Sequence, residues 1–248
     1  MQNYCKTIGA LAAASALVAG NAQAEVEYEL HTGYSSEYLF RGVDLGQDLV
    51  EVGVDAAYQW NGLSVRGGVW SAVFNSAAFS TGKEQIYSET DLYAEVSKDL
   101  GFLTASVGYI YYFNAGHLGV DNQEVYFGLS RDLGFATISL TYYWDIINNS
   151  GVISQGSSNE GYTELGLSRK FELNQCLTLN VGANVGYLVE ADVFTALTSK
   201  VSLDWGFADH AKLSPFVAFS LGLGEEAGSI WKSTENELTA GSMLSVSF

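Results

Sequence analysis

Apolar and polar residues alternate along most of the chain after residue 25, which is the period of a β-strand with two different faces. In residues 103–113 the odd-numbered face carries Val107 and Tyr109, whereas the even-numbered face carries Ser106 and Gly108. Such segments are about ten residues long, the length with which a tilted strand crosses a bilayer, whereas soluble strands usually have about five or six residues. The pattern therefore predicts an all-β fold, a transmembrane antiparallel up-and-down β-barrel.

The alternation predicts about 12 strands, an even number that brings both ends of the chain to the same side of the barrel. They are expected near 26–36, 48–60, 63–74, 88–97, 102–113, 122–131, 135–145, 161–170, 176–188, 196–205, 213–223 and 236–248. Asn61-Gly62 is the clearest short turn, because a type I′ hairpin needs positive φ at both positions. Long loops are predicted at roughly 37–47, 75–87, 114–121, 146–160, 189–195 and 224–235. Pro215 is expected at the start of strand eleven, since proline removes a ladder hydrogen bond.

The two ends of the chain predict export to the outer membrane. Lys6 precedes an apolar stretch from Ile8 to Gly20, and Ala22-Gln23-Ala24 follows, so residues 1–24 are expected to be a signal peptide cleaved after Ala24. Residues 25–248 would then form the outer-membrane β-barrel. The final Phe248 resembles the carboxy-terminal signature of such barrels, which predicts recognition by the barrel-assembly machinery. Aromatic residues near strand ends predict two interfacial girdles, although a soluble exported β-sandwich would also show alternation.

Charge patterning predicts an acidic lumen. The formal net charge of −17 makes nucleic acid an improbable partner. On the strand template the pore-lining candidates are Glu27, Glu29, Arg41, Glu51, Asp55, Arg66, Asp91, Glu95, Glu124, Asp145, Glu164, Lys200, Asp204 and Glu237. An acidic lining favours cations. Such charges can instead pair across a small barrel and plug it, and twelve strands fall between the filled barrels of about eight strands and the aqueous ones of about sixteen.

The most distinctive run in the chain extends from Thr32 to Gly42, with the letters TGYSSEYLFRG. It resembles the amino-terminal motif of the TorF-type putative porin family, an exported proteobacterial family of outer-membrane barrels. Gly68-Val69-Trp70 is similar to the next recurrent feature of that family. The resemblance is firm over residues 26–74 and implies a barrel that acts as a porin. It names no solute and supplies no catalytic residues.

Two other chemistries are weighed against a channel. An outer-membrane enzyme would need a histidine beside a serine or an acid; His31 shares a face with Glu29 and Ser35, but no nucleophile motif is present, so no catalytic residue is expected. The acidic loops match no calcium-binding pattern, so no metal site and no cofactor are expected. The sequence thus predicts a porin-like channel for passive diffusion of small hydrophilic solutes, in contact with outer-membrane lipid and lipopolysaccharide. The alternatives are a non-conducting structural or surface-binding barrel and a lipid-modifying enzyme.

Overall fold

The fold is a ring of twelve antiparallel strands, as the alternation predicts. The computed structural model describes residues 26–76, 85–115, 121–146, 161–189, 191–224 and 235–248. Each strand pairs with the next along the chain, and β1 pairs with β12 to close the barrel. The strands are β1 (Glu27–Phe40), β2 (Val43–Trp60), β3 (Leu63–Ser76), β4 (Gln85–Asp99), β5 (Thr104–Ala115), β6 (Asn122–Asp132), β7 (Thr137–Asp145), β8 (Tyr162–Asn174), β9 (Leu177–Leu188), β10 (Val193–Ala208), β11 (Ala211–Gly222) and β12 (Glu237–Ser247). Within the described ranges no helix is long and apolar enough to span a membrane.

The two faces of the sheet differ in chemistry, as the period of two requires. The outward face carries large exposed apolar side chains such as Val52, Phe127 and Val217. The inward face carries small, polar and charged residues together with several tyrosines. An exposed apolar face on every strand is the arrangement that a lipid environment stabilises and that water would not.

The seam between β1 and β12 runs to the last residue of the chain. Glu29 pairs with Ser247 and Ser35 pairs with Gly241 in an unbroken register. The backbone N–H of Phe248 donates to the carbonyl of Tyr28 at 2.9 Å. Every strand therefore has a partner on both edges, which removes the unpaired backbone groups that hydrocarbon cannot solvate.

The connections that follow β2, β4, β6, β8 and β10 lie at one end of the barrel, here called the turn end, and the opposite end is called the loop end. Asn61 and Gly62 both have positive φ, 49° and 77°, so the predicted hairpin turn is confirmed. At two other turns an aspartate side chain accepts a hydrogen bond from the N–H of a glycine two residues later, Asp99 from Gly101 and Asp132 from Gly134.

The structure differs from the prediction at Pro215. Strand β11 begins at Ala211, so Pro215 lies inside it. Pro215 pairs with Ser242 of β12. In the ladder with β10, Leu213 and Phe216 each have a partner on β10, whereas the two residues between them have none there. The missing N–H of proline accounts for this interruption, and pairing with β12 holds the strand in place.

The predicted long loop at 37–47 is wrong. Strand β1 continues to Phe40 and β2 begins at Val43, with only Arg41 and Gly42 between them. Both turn residues have positive φ, 51° and 84°, as in the turn at Asn61-Gly62. Polar residues of this segment, such as Arg41, make contacts inside the barrel instead of with solvent.

The outward face predicts how a charge would be tolerated at different depths. Leu92 lies midway along β4 and Leu100 lies in the turn after it, and both are 46% exposed. We expect Leu92→Arg to lower the free energy of unfolding from lipid vesicles by about 2–4 kcal/mol and Leu100→Arg by about 0–1 kcal/mol. Urea titration of both refolded variants measures the difference. Equal losses would contradict an orientation with the strand centres at the bilayer midplane.

Candidate functional site

The ladder register places the predicted pore-lining residues on one side of the sheet. Thirteen of the fourteen lie at inward-facing strand positions, and Arg41 reaches the same interior from the first turn. The strand residues among them are Glu27, Glu29, Glu51, Asp55, Arg66, Asp91, Glu95, Glu124, Asp145, Glu164, Lys200, Asp204 and Glu237. Their role in lining a conducting pore stays a prediction.

The turn between β1 and β2 folds into the lumen and crosses it. A register shift between Glu37 and Leu39 turns Tyr38 and Phe40 inward. In a ring of twelve strands β7 lies opposite β1, yet the guanidinium of Arg41 reaches a ring of β7, that of Tyr143, at 4.4 Å. The hairpin formed by residues 37–47 is called the inserted hairpin below.

A buried ion pair holds the tip of the inserted hairpin. The two terminal nitrogens of Arg41 donate to the two carboxylate oxygens of Glu124 on β6, at 2.7 and 2.6 Å. The side chains of Arg41 and Glu124 are only 9% and 2% exposed. The hydroxyl of Tyr112 donates a third hydrogen bond to Glu124 at 2.9 Å. This bidentate geometry is the strongest form of charge-assisted pairing between these side chains.

Aromatic rings enclose the same guanidinium. Its carbon lies 4.8 Å from the ring centre of Phe40, 4.4 Å from that of Tyr143 and 4.5 Å from that of Tyr162. Each distance is within the range of a cation–π interaction. The set Glu124, Tyr112, Tyr143 and Tyr162, which belongs to β5–β8, is called the guanidinium cage.

Apolar packing fills the space around the inserted hairpin. Phe40 and Val43 contact two clusters of buried residues, one centred on Phe74 and the other on Tyr162. A Cβ atom at Gly42 would lie 2.3 Å from the Cβ of Ala196 on β10, so only glycine fits against that wall. The inserted hairpin therefore touches the barrel wall on both sides and narrows the lumen towards its loop end.

A cavity of about 610 Å³ remains in the lumen beside the inserted hairpin. Glu51 and Asp91 border it from one wall, and Glu164 and Lys200 border it from strands on the far side. The amine of Lys200 lies 4.1 Å from the ring centre of Phe216. The cavity is thus lined by charges of both signs with acids in excess, and its size suits a small hydrophilic molecule.

Two more polar clusters lie nearer the turn end. His31 Nδ1 is 3.3 Å from the carboxylate of Asp55, which also accepts a hydrogen bond from the hydroxyl of Tyr93. Arg66 donates to Glu95 at 2.9 Å. His31 therefore lies among polar lumen residues, and this interpretation is simpler than a catalytic role.

The alternation places the tyrosines of the site in the lumen but does not indicate their role. The alternation assigned Tyr111 and Tyr142 to the lipid face, and their neighbours Tyr112 and Tyr143 to the lumen. Large aromatic residues on an otherwise small and polar face were the available signal. Among the described residues no three His, Cys, Asp or Glu side chains are grouped so that they could hold a metal ion.

The closed ring with an apolar exterior and a charged interior has the architecture of an outer-membrane β-barrel. The chain matches a family described as "Bacterial protein of unknown function (Gcw_chp)" over residues 19–222, and it belongs to that family. This description assigns no function, so the TorF-type label stays a prediction. A search of curated proteins found no match.

Solved structures share the fold at low sequence identity. The COG4313 outer membrane channel from Pseudomonas putida F1 is 10% identical with a TM-score of 0.56, over 90% of this chain and 95% of that one. The NanC porin is 11% identical with a TM-score of 0.55, over 88% and 98%. The outer membrane phospholipase A of Escherichia coli is 14% identical with a TM-score of 0.50, over 89% of both chains. Channels and an enzyme share this fold, so the fold alone does not decide between them.

The burial of the ion pair in the cage predicts a large stability effect. Glu124→Gln leaves the Arg41 charge buried without its partner, which we expect to lower the free energy of unfolding by about 3–5 kcal/mol. The matched control is Glu95→Gln, because its partner Arg66 is 51% exposed. That variant is expected to lose at most about 1 kcal/mol. Urea unfolding of both variants in vesicles tests this, and similar losses would contradict the assigned burial of the cage.

Proposed function

We propose that the protein is a narrow, porin-like outer-membrane channel for passive diffusion of small hydrophilic solutes. The observation that carries the proposal is a closed barrel with a lipid-compatible exterior whose charged lumen still holds a cavity of about 610 Å³. The fold shared with the COG4313 channel and the NanC porin supports it. The inserted hairpin is the constriction of this channel. The TorF-type resemblance of residues 32–42 belongs to the same proposal.

Cation preference follows from the charges on the inward face. The predicted lining contains eleven acids but only Arg41, Arg66 and Lys200 as bases. Arg41 and Arg66 are each paired with an acid, which leaves the remaining carboxylates to dominate the lumen potential. A lumen with this field attracts cations and repels anions.

A second candidate function is a barrel that does not conduct. The inserted hairpin favours it, because its tip is held by a buried ion pair and packs against both walls. Such a barrel would act in the membrane as a structural or surface-binding protein. Both candidates are proposed to be non-enzymatic, because His31 pairs with Asp55 in the lumen and the sequence contains no nucleophile motif.

Location and partners complete the proposal. The exposed apolar face suits outer-membrane lipid, and the loop end would meet lipopolysaccharide and external solutes. Export would depend on the signal peptide cleaved after Ala24, which lies outside the described residues. Phe248, which pairs with Tyr28 at the seam, would be the residue that the barrel-assembly machinery recognises.

Single-channel recording of the refolded mature protein tests conduction and selectivity together. In a planar bilayer under a potassium chloride gradient we expect stepwise currents and a reversal potential displaced towards that of potassium, because the carboxylates outnumber the bases. Currents with an anion-selective reversal potential would contradict the charge argument. A folded barrel without currents would favour the non-conducting alternative.

The close contact between Gly42 and Ala196 predicts how the constriction can be opened. Gly42→Val places side-chain atoms where Ala196 lies, so the inserted hairpin must move away from β10 and conductance is expected to rise. Gly62→Val is the matched control, because Gly62 has a similar φ of 77° in a similar turn but no atom within 4 Å of its Cβ position. We expect it to leave the conductance unchanged. Equal conductance of both variants would show that the hairpin does not limit the current.

A further inference from the structure

Arg41 is held as a ligand is held in a binding site. We propose that the guanidinium cage is a binding site for solutes that carry a guanidinium group, and that Arg41 occupies it as an internal ligand. A guanidinium solute that enters the lumen then competes with Arg41 and releases the tip of the inserted hairpin. The binding site stands on its own geometry, whereas its effect on transport rests on the proposed channel function.

The geometry selects a planar cation with two parallel donors. Each oxygen of Glu124 accepts from a different nitrogen of the same guanidinium, at 2.7 and 2.6 Å. An ammonium group is a compact point charge and cannot form this paired arrangement. The rings of Tyr143 and Tyr162 lie close to the guanidinium carbon and favour a flat, weakly hydrated cation.

All four residues of the cage belong to the barrel wall, and they contact one another as well as the hairpin. Tyr143 and Tyr162 are paired in the ladder between β7 and β8, and their ring centres are 5.9 Å apart. Tyr112 and Glu124 lie on the neighbouring strands β5 and β6 and are joined by a hydrogen bond. Because these contacts join adjacent paired strands, we expect the cage to be largely preorganised for a free ligand.

Tethering gives Arg41 an advantage over a free solute. The two-residue turn keeps its side chain beside the cage, at an effective concentration of about millimolar or more. A free guanidinium compound must exceed that concentration in the unmodified protein. Removal of the Arg41 side chain should therefore expose a site that the unmodified protein hides.

Chemical rescue tests the proposal directly. Arg41→Ala lacks the ethylguanidinium part of the side chain, so the probe is N-ethylguanidinium chloride, titrated by calorimetry into the refolded barrel in detergent at constant ionic strength. We expect saturable binding to Arg41→Ala, and binding about tenfold weaker or more to the unmodified protein and to Arg41→Ala/Glu124→Gln. N-ethylammonium chloride is expected not to bind to the cage.

Arg66→Ala is the matched control, because it also removes a lumen arginine paired with a glutamate, but that guanidinium is half exposed. It should gain no site for the probe. Binding to Arg41→Ala that is equal for both probes, or unchanged by Glu124→Gln, would overturn the proposal. If Arg41→Ala does not refold, the titration is made with Arg41→Gln, whose side chain is shorter and carries no charge that could pair with Glu124; absence of binding there would also overturn the proposal.

Conductance separates this inference from the proposed function. If the probe binds to Arg41→Ala and lowers the current through it, both are supported. If the probe binds but no variant conducts, the cage is a binding site in a barrel that is not a channel. If the variants conduct and the probe neither binds nor alters the current, the channel stands and the guanidinium site does not.

Discussion

The backbone in a bilayer has no water to bond with, and this constraint determines the architecture. Each strand must have two neighbours, so the chain closes on itself and the last residue, Phe248, bonds with Tyr28 across the seam. Closure gives the sheet one face towards lipid and one towards the lumen, so successive side chains of each strand face lipid and lumen in turn. Even Pro215, which cannot donate to one ladder, is kept in register by the other.

The same constraint concentrates polar chemistry inside the barrel. Charges cannot lie on the lipid face without a high cost, so acids and bases share the narrow lumen and pair with one another. The inserted hairpin is held by such a pair of an acid and a base. Arg41 meets Glu124 in a setting where neither side chain is solvated, so the pair both narrows the lumen and is costly to break. The proposed competition by guanidinium solutes acts on this pair.

Much of this arrangement was predictable from local patterns. A period of two is a property of the strand itself, so twelve strands, their lipid and lumen faces and the turn at Asn61-Gly62 could be predicted without any long-range information. The inward positions of Glu51, Asp91 and Glu164 followed from the same counting. The residues of the cage could be assigned to the lumen, but not to one another, because they come from four strands.

The direction of the first hairpin was decided only in three dimensions. The acids and glycines of residues 37–47 favour a solvated loop in the sequence alone, although five of the eleven residues are apolar or aromatic. Whether the turn at Arg41-Gly42 points outward or inward depends on partners far along the chain: Glu124, Tyr143, Tyr162 and Ala196. Their positions around Arg41 exist only after the ring has closed, because closure brings β6–β8 opposite the first hairpin.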